Sequence, residues 1–221
     1  MFAASTYEEI NAWADQFPSK AVIILLFIKP AEHHNQIIRE FEYLHYNTKE
    51  YCMVFAVGYT DDLHSEERTY YSIGTMCNAE WFFSNKVFVD FKELLESRIN
   101  WEYSGDVEIL ILQNKKDRKD PLDFRNYIAV NIDAGLRDGY IDSFPSFMEK
   151  IVRNAKKQIK VMDTDNEQRI KLKELVSDTI ESCKTVRTPV RKIISDRHFY
   201  NTANSYKAVQ KRAFSLKNLQ K

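Results

Sequence analysis

Glycine and proline are scarce, five of each in 221 residues, which argues against a β-sandwich built on tight turns and against proline-rich linkers. Cysteine is scarcer still. Cys52, Cys77 and Cys183 are widely spaced, with no CxxC and no histidine nearby. They predict reduced thiols, not a disulfide framework or a tetrahedral zinc site. Cys52 sits in an apolar stretch and Cys183 on the apolar stripe of a helix, so both are expected to fill the core. The longest apolar run, Ala21 to Ile28, is far shorter than the roughly 20 residues a membrane helix needs. The chain opens on Ser5-x-x-Glu8, a helix-capping pattern, and not on a basic stretch with a cleavable apolar segment. A cytoplasmic protein with no membrane contact is the expectation. There is also no GxSxG elbow, no P-loop and no dinucleotide fingerprint, so neither a cofactor nor a metal is expected.

What is present suffices for a core. The chain is 44% hydrophobic and 13% aromatic, a composition of folded domains and not of disordered segments. Its length suits one domain with an appendage. Residues 5 to 17 read as a short helix with Ile10, Trp13, Ala14 and Phe17 on one face. Ala21 to Ile28 and Tyr51 to Tyr59 are apolar nearly throughout, as strands covered on both faces must be. Between them, from Ala31 to about Asn47, Ile37, Ile38, Phe41, Leu44 and His45 recur at helical spacing. This is a βαβ unit, whose crossover is right-handed almost without exception.

Residues 60 to 86, polar first and then aromatic, resist assignment; a lid, an interface and an ordinary connection all remain open. Asp90 is expected to cap a helix carrying Phe91, Leu94, Leu95 and Arg98. Val107 to Leu112 and Tyr127 to Ile132 read as strands. Residues 143 to 159 form an amphipathic helix through Phe144, Phe147, Met148, Ile151, Val152 and Ala155. Beyond Lys160 the patterns are helical, with a stripe of Leu172, Leu175, Val176, Thr179, Ile180 and Cys183. The expected division is an α/β domain over residues 1–159 and a helical, basic C-terminal extension over 160–221.

The resulting order, β-α-β, then α, then β-β-α, over roughly residues 20 to 158, resembles the thioredoxin fold. The resemblance implies a thioredoxin-like α/β core, but no redox chemistry. Where that family carries CxxC at the start of the first core helix, this chain reads Lys29-Pro30-Ala31-Glu32-His33-His34. Where the family has a cis-proline before its third core strand, Trp101 to Asp106 (WEYSGD) holds no proline. The strings FEYLHY and WEYSGDVEILIL are also similar to uncharacterised bacterial proteins found near phage-defence genes, which implies an antiviral setting.

Three candidate sites follow from the residues. His33 and His34 lie at a strand exit, but consecutive helical side chains point about 100° apart, whereas helical zinc sites use i, i+3 or i, i+4 pairs. Glu32 in a first turn suits the helix dipole and Pro30 suits a helix start, so turning a corner explains this stretch. Glu108, Gln113 and Lys115 resemble the acid and (E/Q)xK elements of metal-dependent PD-(D/E)xK nucleases, which need carboxylates and a lysine converging on Mg²⁺. Along one regular strand Glu108 and the Gln113/Lys115 pair fall on opposite faces; a bulge, or a carboxylate from elsewhere such as Asp133, would have to restore convergence. Asp61 and Asp62 follow a buried strand at the edge where open α/β sheets bind ligands, or they cap a turn.

The clearest signal is electrical. Net charge is zero, yet Cys183 to Lys221 holds ten Lys/Arg and one acid, Asp196. The other 182 residues then hold 32 − 10 = 22 basic and 32 − 1 = 31 acidic side chains, about −9 against +9. Such segregation marks an interaction segment. Arg187, Arg191, Lys192, Arg197, Lys211 and Arg212 are the expected contacts, interleaved with His198, Phe199, Tyr200, Tyr206 and Phe214. A protein partner with an acidic surface, the chain's own acidic body and nucleic acid all fit this chemistry. The expectation is a non-catalytic adaptor or complex subunit that binds a partner protein through residues 184–221, with nucleic-acid binding or a divergent nuclease as the alternative.

Overall fold

The fold is that of a computed structural model describing residues 2–4, 6–17, 22–31, 34–48, 51–61, 70–76, 78–114, 122–165, 171–183 and 199–201. It is a mixed α/β structure. Strand β1 (Phe2–Ala4) leads into helix α1 (Tyr7–Gln16). The capping box forms one residue later than the Ser5 pattern suggests: the Thr6 hydroxyl accepts from the Glu9 amide and the Glu9 carboxylate from the Thr6 amide, both at 3.1 Å. Thr6-x-x-Glu9 offers the same spacing, and this register buries Tyr7, Ile10 and Ala14.

Strands β2 (Val22–Phe27) and β3 (Cys52–Val57) are buried at every position and pair in parallel, Val22 opposite Cys52. The helix expected across 31–47 is two, α2 (Asn35–Arg39) and α3 (Phe41–Asn47), meeting at Glu40, with Ile37, Ile38, Phe41 and Leu44 turned inward. Residues 60–86, unassigned from sequence, contribute a small antiparallel sheet: β4 (Tyr59–Thr60), β5 (Tyr71–Met76) and β6 (Ala79–Phe83), in the order β4-β6-β5. Asn78, at φ 62, turns the chain between β5 and β6; asparagine tolerates that left-handed conformation better than most residues.

Helix α4 (Asn85–Arg98) begins five residues before Asp90. Ser84 caps it, its hydroxyl accepting from the Val87 amide at 3.4 Å, while Asp90 lies inside the helix and pairs with Lys86 at 2.7 Å. Burial of Val87 and Phe88, on the face of Phe91 and Leu95, makes that earlier turn helical. Then follow β7 (Glu108–Asn114), β8 (Leu122–Asn131), α5 (Ile132–Arg137), α6 (Phe144–Asp165), α7 (Leu172–Cys183) and β9 (Phe199–Asn201). The main sheet has the order β1-β3-β2-β7-β8-β9. Its β1-β3-β2 half is parallel and its β2-β7-β8-β9 half antiparallel. The exit of β2 therefore lies beside the entry of β7, with Phe27 opposite Glu108.

Gly58, between β3 and β4, has φ +83, and a methyl group there would stand 2.9 Å from the Phe88 Cβ and 3.2 Å from its Cα. Gly58→Ala is expected to cost about 2 kcal/mol, from the left-handed backbone and this close approach together. A fall in the urea midpoint at unchanged m-value checks it.

Helix α6 runs unbroken across the 159/160 division expected from sequence. Leu172, Leu175, Val176, Ile180 and Cys183 of α7 belong to the same buried core as the strands. A buried hydrogen bond from the Asn154 side-chain amide to the Thr179 hydroxyl, 3.1 Å, ties α6 to α7. Cys52 and Cys183 are buried, as core filling requires. No helix among the described residues is long and apolar enough to cross a membrane. The expected contacts Arg187, Arg191, Lys192, Arg197, Lys211 and Arg212 lie outside the described residues, as do Glu32, His33, Asp62, Cys77 and Lys115.

Candidate functional site

The exit of β2, the entry of β7 and the exit of β8 meet at one end of the sheet, because antiparallel pairing puts Glu108 between Phe27 and Asn131. This is the carboxyl edge of the parallel strands, where open α/β sheets hold ligands. The sequence places there a proline corner, a histidine, three carboxylates and a pair of loop aromatics.

His34 opens α2 and is 5% exposed. Its Nδ1 lies 2.9 Å from the Lys29 carbonyl oxygen, which can only accept, so that nitrogen is the donor. Its Nε2 faces Asp133 Oδ2 at 3.4 Å. The same Asp133 oxygen accepts from the Val107 amide at 2.8 Å. One carboxylate thus ties the start of α2 to the entry of β7. Both imidazole nitrogens point at protein groups, which fits the corner-turning role the sequence suggests for this stretch. The Tyr59 hydroxyl donates to the Ile28 carbonyl at 3.1 Å and closes the neighbouring strand exit.

Glu108 is fully buried. The Trp101 indole N–H donates to its Oε2 at 2.9 Å. Burial pushes this carboxyl up to about 7; hydrogen bonds from Ser104 and Trp101 offset part of the rise, and the nearby Asp106 carboxylate adds to it. Burial likewise raises the Tyr103 phenol, with Glu108, Asp106 and Asp133 adding to the effect. The loop from Trp101 to Val107 is tied down on three further sides. The Tyr103 amide donates to Glu96 at 2.9 Å. The Asn131 side-chain amide donates to Ser104 at 3.1 Å and to Asp106 at 2.9 Å, while its oxygen caps α5 by accepting from the Ala134 amide at 2.8 Å. Aromatic packing completes the enclosure: Phe27 lies 4.8 Å from Trp101 and 6.1 Å from Tyr103, centroid to centroid, and Phe88 lies 5.5 Å from Tyr103.

The structure keeps Glu108 and Gln113 of the nuclease constellation apart, and its Lys115 lies outside the described residues. Glu108 and Gln113 stand at opposite ends of β7, paired with Phe27 and Val22, and five residues of strand span roughly 17 Å. An irregularity does occur, between Leu112 and Asn114, but it lies at the far end from Glu108. Asn114 there donates to the Ala14 carbonyl at 3.1 Å, anchoring the end of α1. Asp61 is exposed just past β4. Among the described residues no three His, Cys, Asp or Glu side chains are grouped so as to hold a metal ion.

Sequence reasoning does not single out Trp101 and Asn131. Two signals pointed to them: a pair of aromatics inside the otherwise polar stretch WEYSGD, and an asparagine ending an apolar strand, the residue type that caps a helix. Compared with known proteins, the chain matches no family model, no curated protein and no solved structure.

Proposed function

We propose that this chain is a redox-inactive, thioredoxin-like adaptor or complex subunit that binds a partner protein through its basic C-terminal segment. Support for the thioredoxin-like fold comes from the sheet. A parallel β2–β3 pair with helices between its strands abuts an antiparallel β7–β8 pair followed by helix, in a single sheet. The stretch that would carry the redox cysteines holds Pro30 and a His34 whose Nδ1 donates to the Lys29 carbonyl and whose Nε2 faces Asp133. Glu108 and His34 are buried among protein groups.

The observation that carries the function is the separation of charge, about +9 on residues 183–221 against −9 on the rest. A cationic segment on an acidic body is drawn to anionic surfaces and repelled from cationic ones, which speeds and orients encounter. Strand β9, within this segment, pairs with β8 through Phe199, Tyr200 and Asn201, and residues 202–221 hold five basic and no acidic side chains. The resemblance to phage-defence proteins would place the partner in a bacterial antiviral system.

The test is a pull-down with the full chain carrying Arg187, Arg191, Lys192, Arg197, Lys211 and Arg212 all replaced by Glu, beside a chain ending at residue 184. Both are expected to fold, since the buried core of the described residues runs from Tyr7 to Cys183 and the truncation removes only the edge strand β9 from the sheet, and both to lose the partner that the native chain retains after nuclease treatment. Retention of the partner by either variant rejects the assignment. Capture abolished by nuclease, with affinity falling steeply with salt at a slope near −0.9 per phosphate contacted, would favour nucleic acid.

A further inference from the structure

We propose that Glu108 is a proton-operated latch: protonated, it holds the Trp101–Val107 loop against the end of the sheet, and its ionisation releases that loop. The geometry is that of a carboxyl sealed at a strand end with no counter-charge. Its cross-strand neighbours are Phe27 and Asn131, one apolar and one neutral. The charged groups around it come from each packed element. The loop brings Asp106 and the Tyr103 phenol, and α5 brings Asp133. The β2 exit brings Lys29, whose ammonium lies over the Phe88 ring at 5.2 Å. The start of α2 brings His34, committed to Asp133, and α4 brings Glu96, paired with Lys92 at 2.9 Å. Among the described residues, then, no cation pairs with Glu108, and ionisation would put a third carboxylate beside Asp106 and Asp133.

An ionised carboxylate buried this way must regain water. Glu108 is paired in the sheet on both sides, with Phe27 and Asn131, so the loop is the element that yields. The loop is held by individual hydrogen bonds from Trp101, Tyr103, Asn131 and Val107, and local openings of such segments need far less free energy than global unfolding. Lifting it would uncover Trp101, now 2% exposed, beside the corner at Lys29 to His34. Burial pushes the Glu108 carboxyl up to about 7, so its ionisation falls within physiological pH.

The experiment is residue-resolved amide hydrogen exchange on the full chain at pH 6 and pH 8, corrected for intrinsic rates. The reporters are the Tyr103 and Val107 amides, which donate to Glu96 and Asp133; Leu110 and Ile111, in the middle of β7, are controls. The ionised fraction of a group titrating near 7 changes roughly tenfold between these pH values, and protection of the two reporters is expected to fall by about that factor. Glu108→Gln keeps the acceptor for Trp101 and is expected to remove the change. Unchanged reporters in the native chain overturn the latch, as does an equal loss in Glu108→Gln, or reporters as strongly protected as the controls, which would mean that the loop opens only when the whole fold does. Should Glu108→Gln not fold, the comparison of reporters with controls in the native chain still decides.

Discussion

Phe27→Ala is expected to destabilise the fold by about 3–5 kcal/mol, the range for removing a fully buried phenylalanine. The side chain ends β2 with no solvent exposure and is surrounded by rings: Trp101 at 4.8 Å, Phe88 at 5.9 Å, Tyr103 at 6.1 Å and Phe91 at 6.4 Å. Two of these belong to α4 and two to the loop, so the cavity left behind cannot close by moving one element. Phe27→Leu keeps most of the volume and is expected to cost less than about 1.5 kcal/mol. The contrast separates volume from ring geometry in a urea titration followed by circular dichroism. Phe27→Ala has a second consequence. Water admitted beside Glu108 relieves the desolvation that raises its pKa, so the variant should lose most of the pH dependence described next.

Glu108→Gln is expected to be more stable than the native chain by about 3 kcal/mol at pH 8 and nearly equal to it at pH 4. The native state holds the Glu108 proton up to about pH 7, whereas the unfolded chain releases it near the usual 4.5. Between those values unfolding releases a proton, so stability declines as pH rises. Above 7 both states are ionised and the decline levels off. Each pKa unit corresponds to 1.36 kcal/mol, so 2.5 units give about 3 kcal/mol. Glutamine keeps the acceptor for the Trp101 indole and carries no charge to desolvate. Urea unfolding of both chains at pH 4, 6 and 8 measures the difference; a constant gap across that range would show that Glu108 does not titrate in this interval.

Much of the fold is legible in the residues because periodicity is a local property. VIILLF and CMVFAV are apolar at every position, and a strand of that kind has to be covered on both faces. The spacing of Phe144, Phe147, Met148, Ile151 and Ala155 likewise fixes which side of α6 turns inward. Boundaries were less legible. Thr6 and Ser84 cap α1 and α4 where Ser5 and Asp90 were expected, because several residues can cap and the choice falls to whichever register buries the adjacent apolar side chains. The small sheet β4-β6-β5 escaped because alternation over five or six residues, interrupted by Gly74, is too short to stand out.

The candidate site was legible only in pieces. The order of residue types determined that the chain has an α/β core, that its strand-exit corner carries no redox pair, and that positive charge gathers toward the C-terminus. Only the tertiary structure decided that Glu108 faces Trp101 and not Gln113, and that Asp133 faces both His34 and the Val107 amide. Those partners lie between 7 and 99 residues apart in sequence. What joins them is the antiparallel seam of β2, β7 and β8, and its register depends on every cross-strand contact at once, a sum that no local window of sequence contains.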